Sequence, residues 1–183
     1  MKKILNVLIV LIICFSNFGA IYEIDAARNA SLHNNRGVNY LNEQNYYSAI
    51  KEFEMAILLN PDTQASATYY NNLGKTYLKI GYPKMAEESF EKALKKNSTN
   101  LEFYQNLVST YKAQGKLKSE LNKALASKNH LSKITAGLIL IETGKLEAGI
   151  NMLDEFCFDE PEMIISKGIR TYIQSVAPNE FRF

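Results

Sequence analysis

An internal repeat is the feature of this sequence that most constrains its fold. Six positions of one segment recur 37 residues further along, and five of the six keep the same residue: Gly37, Tyr40, Ala49, Phe53, Ala56 and Pro61 recur as Gly74, Tyr77, Ala86, Phe90, Ala93 and Ser98. A period of about 20–50 residues is typical of arrays in which each unit buries its apolar face against its neighbours. The sequence therefore predicts a stack of similar units.

The residue types within the repeat predict pairs of helices. Glycine and alanine suit positions where two helices approach closely, and the aromatic rings fill the adjoining gaps. Pro61 follows the second helix of its pair, where a proline ends the hydrogen-bonded ladder. We predict an all-α chain without strands, with helices over 30–43, 46–59, 66–80, 83–97, 101–114, 117–128, 131–142, 145–157 and 161–176.

The second copy carries a more specific pattern. It places Tyr70 and Leu73 ahead of Gly74 and Tyr77, giving aromatic-x2-Leu-Gly-x2-Tyr, and continues with Ala-x3-Phe. This pattern resembles the tetratricopeptide repeat (TPR), a helix-turn-helix unit of about 34 residues. The resemblance implies a right-handed superhelix in which first helices line a concave groove and second helices face outward. In the first copy, His33 replaces the aromatic residue, as expected of a terminal repeat.

The later copies diverge from the first two. In the third, Val108 replaces the glycine and Glu120 replaces the small alanine, and the fourth begins only about 29 residues after the third, so its register stays open. Pro161 is expected to open a capping helix. The predicted domains are a signal peptide or anchor at 1–20, TPR units at 30–63, 67–100, 101–129 and 130–160, and a cap at 161–177.

Polar side chains between the core positions of the first helices are the predicted peptide-binding site. They are Asn34, Asn35, Asn42, Asn71, Asn72, Lys75, Lys79, Gln105, Asn106 and Lys112. Three of them, Asn35, Asn72 and Asn106, hold equivalent positions and form a predicted ladder that could pair with the main chain of an extended peptide. The alternative is that these residues belong to the repeat itself and have no ligand. The lysines would favour an acidic peptide, or form ordinary solvated surface.

One known TPR function is not expected here. Family members that bind chaperone tails clamp a C-terminal carboxylate with Lys and Asn in the first repeat, Asn in the second, and Lys and Arg in the third. The equivalent positions hold Asn34 and Val38, then Asn72, then Glu102 and Asn106, so only Asn72 matches. The resemblance therefore does not imply a chaperone-tail receptor.

The N-terminus predicts export from the cytoplasm. Lys2 and Lys3 precede an apolar run from Ile4 to Phe15, as in a secretory signal peptide. The uncharged stretch continues to Ile21, so residues 4–21 could instead remain as a membrane anchor. The usage of Lys, Ile and Asn resembles that of bacterial proteins.

The charge balance and the sparse reactive residues exclude other classes. Without Lys2 and Lys3, the 21 basic residues become 19 against 19 acidic ones, and a neutral chain offers no surface for nucleic acid. His33 and His130 lie in different repeats outside any catalytic or metal-binding motif, and Cys157 is expected to be a buried apolar residue. We therefore predict no enzyme, no cofactor and no metal.

The predicted function is that of an exported scaffold that holds an extended segment of another protein. The alternative is a self-associating structural subunit of an envelope, pilus or outer-membrane assembly.

Overall fold

The nine helices in the described part of the chain form a solenoid of four helix pairs followed by a single last helix. The computed structural model describes residues 25–178, so the predicted signal peptide or anchor lies outside the described residues. The helices are α1 (25–42), α2 (Tyr46–Leu59), α3 (Ser66–Lys79), α4 (Pro83–Lys96), α5 (Leu101–Ala113), α6 (Leu117–Ala126), α7 (Ser132–Glu142), α8 (Leu146–Asp159) and α9 (Ile164–Val176). No strand occurs between residues 25 and 178. The predicted all-α superhelix is confirmed, and the bounds of α2–α8 agree with the sequence prediction to within two residues.

Both terminal helices differ from the prediction. Helix α1 is already formed at residue 25, five residues before the predicted start. Helix α9 begins at Ile164 rather than Pro161, because residues 161–163 form a turn. The buried Ser166 hydroxyl closes this turn by donating a hydrogen bond of 2.6 Å to the Glu160 carbonyl. Pro161 therefore ends the preceding segment and does not open the helix.

The repeat glycines are required by an aromatic ring. A Cβ on Gly37 would lie 2.6 Å from Phe53 Cε1, and one on Gly74 would lie 2.7 Å from Phe90 Cε1. Both rings are fully buried. Since real Cβ atoms do not approach a ring this closely, any larger residue would push the two helices of the repeat apart.

The third repeat reverses the order of sizes at these two positions. Buried Val108 replaces the glycine, and Ala124, 16 residues later, stands where Phe53 and Phe90 follow their glycines by the same interval. No residue of α6 is fully buried, so α5 and α6 pack less tightly than α3 and α4.

The structure also gives the register of the fourth repeat. Gly137 is followed by Gly149 after 12 residues and by Leu153 after 16, the intervals seen in the first two repeats. A Cβ on Gly149 would lie 2.6 Å from the Gly137 carbonyl oxygen, so this helix pair is tightly packed. The short spacing arises because α6 has 10 residues, where α2, α4 and α8 have 14.

The turn within each repeat uses a left-handed residue. Gly81, Gly115 and Gly144 have φ of 80°, 69° and 83°, and Gln44 takes the same place in the first repeat with φ of 60°. In each turn the next N–H donates to a carbonyl five residues earlier, as in Tyr82 to Tyr77 at 2.9 Å. The turn therefore fixes the angle between the paired helices.

We predict that the glycine and the ring are energetically coupled. Gly74→Val should cost about 1–3 kcal/mol or more by overpacking, and Phe90→Ala about 3–5 kcal/mol by leaving a cavity. In the double variant the space left by the ring can take the valine side chain, so its loss should fall short of the sum by at least about 1 kcal/mol. Urea unfolding of the four proteins measures this coupling.

The control pairs Gly74→Val with Phe156→Ala in the fourth repeat. These two losses should add to within about 0.5 kcal/mol. Additivity in the Gly74–Phe90 pair as well would contradict the packing described here.

Candidate peptide-binding groove

Helix α3 presents different residues on its two sides. Tyr70, Leu73 and Tyr77 point toward α2 and α4, the second helices of the first two repeats. Asn72 and Lys75 point the other way and bond to α1 and α5. We call the surface shared by α1, α3 and α5 on this second side the groove.

Asparagine side chains join successive first helices across the groove. The Asn72 Nδ2 donates to the Asn34 Oδ1 at 2.9 Å, and the Asn106 Nδ2 donates to the Asn71 Oδ1 at 2.8 Å. The equivalent of Asn72 in the previous repeat is Asn35, and the equivalent of Asn106 is Asn72. Each amide therefore bonds to the residue immediately before its own equivalent. Two of the three ladder residues therefore join neighbouring repeats, a role that neither interpretation of the ladder had given them.

Asn71 lies between the repeats and does not face an open surface. It is 3% exposed, and its Nδ2 also donates to the Glu102 Oε1 at 3.4 Å. Because both ends of its amide bond to the protein, we leave it out of the surface offered to a ligand. Sequence spacing placed it with the groove residues because it adjoins Asn72.

The other predicted residues line the groove to different degrees. Four are exposed: Asn35, Asn42, Lys79 and Lys112. Five are half-buried: Asn34, Asn72, Lys75, Gln105 and Asn106. The amides of Asn72 and Asn106 each keep a second N–H and a carbonyl oxygen after bonding to the previous repeat. The groove therefore still carries donors and acceptors along three helices.

Two carboxylates balance the groove lysines. The Lys75 ammonium lies 3.2 Å from the Glu102 carboxylate, and Lys112 pairs with Glu142. Sequence reasoning missed both acids, although separations of 27 and 30 residues, close to one repeat, could have suggested them. Of the three lysines, only Lys79 lacks a carboxylate within 4 Å among residues 25–178.

The surface is less polar at α7. The equivalent of Asn72 on this helix is the half-buried Thr135 and that of Lys75 is the buried Leu138, and residues 136–140 are all buried. Helix α9 packs against α8 and reaches α5, where a Cβ on Gly168 would lie 3.9 Å from the Leu101 Cβ. Burial, with the Glu142 carboxylate nearby, raises the pKa of Tyr172 on α9.

The two histidines and Cys157 take part in packing. His33 Nδ1 lies 2.7 Å from Glu52 Oε2, and the His130 ring stacks on Phe156 at 6.2 Å between centroids. Cys157 is 1% exposed, and burial raises the pKa of its thiol. Within residues 25–178, no group of acidic, histidine or cysteine side chains has the arrangement of a metal site.

No helix within residues 25–178 combines the length and the apolar character that a membrane crossing requires.

Comparison with known proteins identifies the repeat. A family model described as tetratricopeptide repeat matches residues 28–96. No curated protein matches the sequence significantly. Among solved structures, the chain is similar to the pilF protein of Pseudomonas aeruginosa, with 16% identity over 82% of this chain and 78% of that one, at a TM-score of 0.52.

A tetratricopeptide repeat protein from Parabacteroides merdae ATCC 43184 is similar to the same extent. It shares 16% identity over 84% of this chain and 68% of that one, at a TM-score of 0.51. At this level of identity, both likenesses describe the fold alone.

We predict that Asn106 and Asn35 differ in their contributions to stability. Asn106→Ala leaves the buried Asn71 carbonyl oxygen without its donor and should cost about 1–3 kcal/mol. Asn35→Ala, on an exposed position, should change stability by no more than about 0.5 kcal/mol. Both variants gain the same helix propensity, so chemical unfolding compares the lost bond directly. Equal stability of the two variants would show that the amide chain does not hold the repeats together.

Proposed function

We propose that this chain, whose residues 28–96 match the tetratricopeptide-repeat model, is a protein-interaction scaffold that binds an extended segment of another protein in the groove. One observation carries the proposal: the first helices of three repeats present accessible polar side chains on a shared side. In the fourth repeat, the equivalents of Asn72 and Lys75 are the half-buried Thr135 and the buried Leu138. An extended segment crossing α1, α3 and α5 would meet amides at each helix.

The chemistry of the groove favours main-chain recognition. Amide side chains both donate and accept, so they can bond to the N–H and C=O groups of an extended peptide. Packed helices lie about 8–10 Å apart, so three of them span roughly 20 Å between the outer axes. An extended chain advances about 3.3 Å per residue, so about six residues would cross the groove.

The site of action belongs to the same proposal. The basic start and the apolar run from Ile4 to Phe15 support export. The scaffold would then act outside the cytoplasm of a bacterial cell, either free or held by residues 4–21.

A structural, self-associating subunit is the second candidate. Phe158 is 84% exposed and Ile164 is 77% exposed, and both lie at the junction of α8 and α9. Large apolar side chains exposed to this degree are a common feature of contact surfaces. This end of the solenoid is where a second copy would bind.

We predict that a partner can be crosslinked from the groove and blocked there. A photoreactive residue at Ser109, which is exposed on α5, should capture the partner segment in native cells. Asn35→Arg, at an exposed groove position, should weaken this capture by about tenfold or more, since a long charged side chain fills the path of the peptide.

The matched control is Asn151→Arg, which makes the same change at an exposed position of α8. A photoreactive residue at position 151 should not capture the same partner. Capture that is equal from positions 109 and 151, or unaffected by Asn35→Arg, would contradict a groove site. Capture of only further copies of the chain, from Phe158, would favour the structural subunit.

We also predict that Glu102 limits the binding of acidic segments. Its carboxylate already pairs with Lys75 and accepts from Asn71. Glu102→Gln leaves Lys75 free to pair with a ligand. In this variant, introducing an acidic residue into the captured segment should raise the affinity of the segment severalfold. Calorimetry with neutral and acidic versions of that segment measures the change. A wild-type groove that already prefers the acidic version would contradict this role.

A further inference from the structure

A second surface lies on the opposite side of α3. We call it the outer crevice: its floor is Tyr70, Leu73 and Tyr77 of α3, and its walls are the facing sides of α2 and α4. It encloses about 290 Å³. Leu73 and Tyr77 are 7% and 8% exposed, so the floor is apolar and well packed. The volume suits one or two side chains of a partner and is too small for a packed helix.

Two carboxylates from different helices meet at the Tyr77 end of the crevice. The Tyr77 hydroxyl donates to the Glu54 Oε1 at 3.5 Å, and Glu88 lines the same crevice from α4. Burial raises the pKa of Tyr77, and the charges of Glu54 and Glu88 raise it further. Within residues 25–178, neither glutamate has a lysine or arginine nitrogen within 4 Å, whereas Glu87 of α4 and Glu102 of α5 do. Negative charge is therefore left unbalanced there.

The opposite end of the crevice carries the reverse charge. The Lys92 Nζ lies 5.9 Å from the centre of the Tyr70 ring, where it makes a cation–π contact. One aromatic ring of the floor is thus already covered by a cation, and the other adjoins the two carboxylates. The crevice has a direction, since a cation fits only at its Tyr77 end.

An exposed apolar side chain also lines the crevice. Met85 of α4 is 44% exposed, and Ile57 of α2 lines the opposite wall. An exposed methionine beside a polar recess is typical of surfaces that receive another protein. The partner should therefore present an apolar side chain next to its charged one.

We infer that the outer crevice binds an arginine side chain of a partner protein, flanked by an apolar residue, with the guanidinium between Glu54 and Glu88. A guanidinium can bond to two carboxylates at once and stack on a tyrosine ring, and its weak hydration lowers the cost of entering a recess. The site lies on the side of α3 away from the groove. It therefore does not depend on the proposed function, and both sites could be occupied together.

The test is a titration of the full chain with N-acetyl-leucyl-arginine amide, followed by the NMR signals of tyrosine rings and methionine methyl groups. We expect the signals of Tyr77 and Met85 to shift. The citrulline peptide, which keeps the shape but not the charge, should bind at least about fivefold more weakly, and so should the Glu54→Gln, Glu88→Gln variant.

The matched control is the Glu147→Gln, Glu162→Gln variant, which removes two exposed glutamates elsewhere. It should bind as the unmodified chain does, which separates a specific site from general attraction to surface carboxylates. Asn35→Arg should also leave this binding unchanged. Equal binding of the citrulline peptide, equal binding by the Glu54 and Glu88 variant, or no shift of Tyr77 would each overturn the inference.

Discussion

In each of the first two repeats, a buried phenylalanine ring lies against the main chain of a glycine, and this contact sets the geometry of the repeat. Gly37 faces Phe53 and Gly74 faces Phe90, with no room for even a methyl group between them. Because the ring lies against the main chain of the first helix, the two helices are held at a fixed distance and angle. This contact therefore determines how each helix pair is oriented. The groove and the outer crevice depend on that orientation.

The helices themselves were predictable from the sequence because their signals are local. The Gly–Phe interval, the turn glycines and Pro83 at the start of α4 each act over a few residues, and the bounds of α2–α8 follow from them. The third repeat was harder because both positions depart from the pattern: Val108 stands in place of the glycine, and Ala124 stands in place of the ring.

The roles of individual groove residues were less predictable because they depend on the neighbouring repeat. Repeat spacing placed Asn72 and Asn106 on one surface, and they do lie there. It could not show that Asn72 bonds to Asn34 and that Asn106 bonds to Asn71, each one residue before the equivalent position. The acids that pair with Lys75 and Lys112 come from the following first helices, and the position of α9 against α5 is set by tertiary packing. None of these contacts leaves a local signal.

The two sides of α3 distribute charge differently, and the two proposed binding sites differ in the same way. On the groove side, Lys75 and Lys112 are each paired with a glutamate, so the proposed groove site would select mainly through hydrogen bonds. On the outer side, Glu54 and Glu88 line the crevice beside the Tyr77 ring. A charge without a partner costs little at a solvated surface, yet it attracts an opposite charge over several ångströms. A scaffold built this way can hold one segment by its main chain and recognise a second by a single basic side chain.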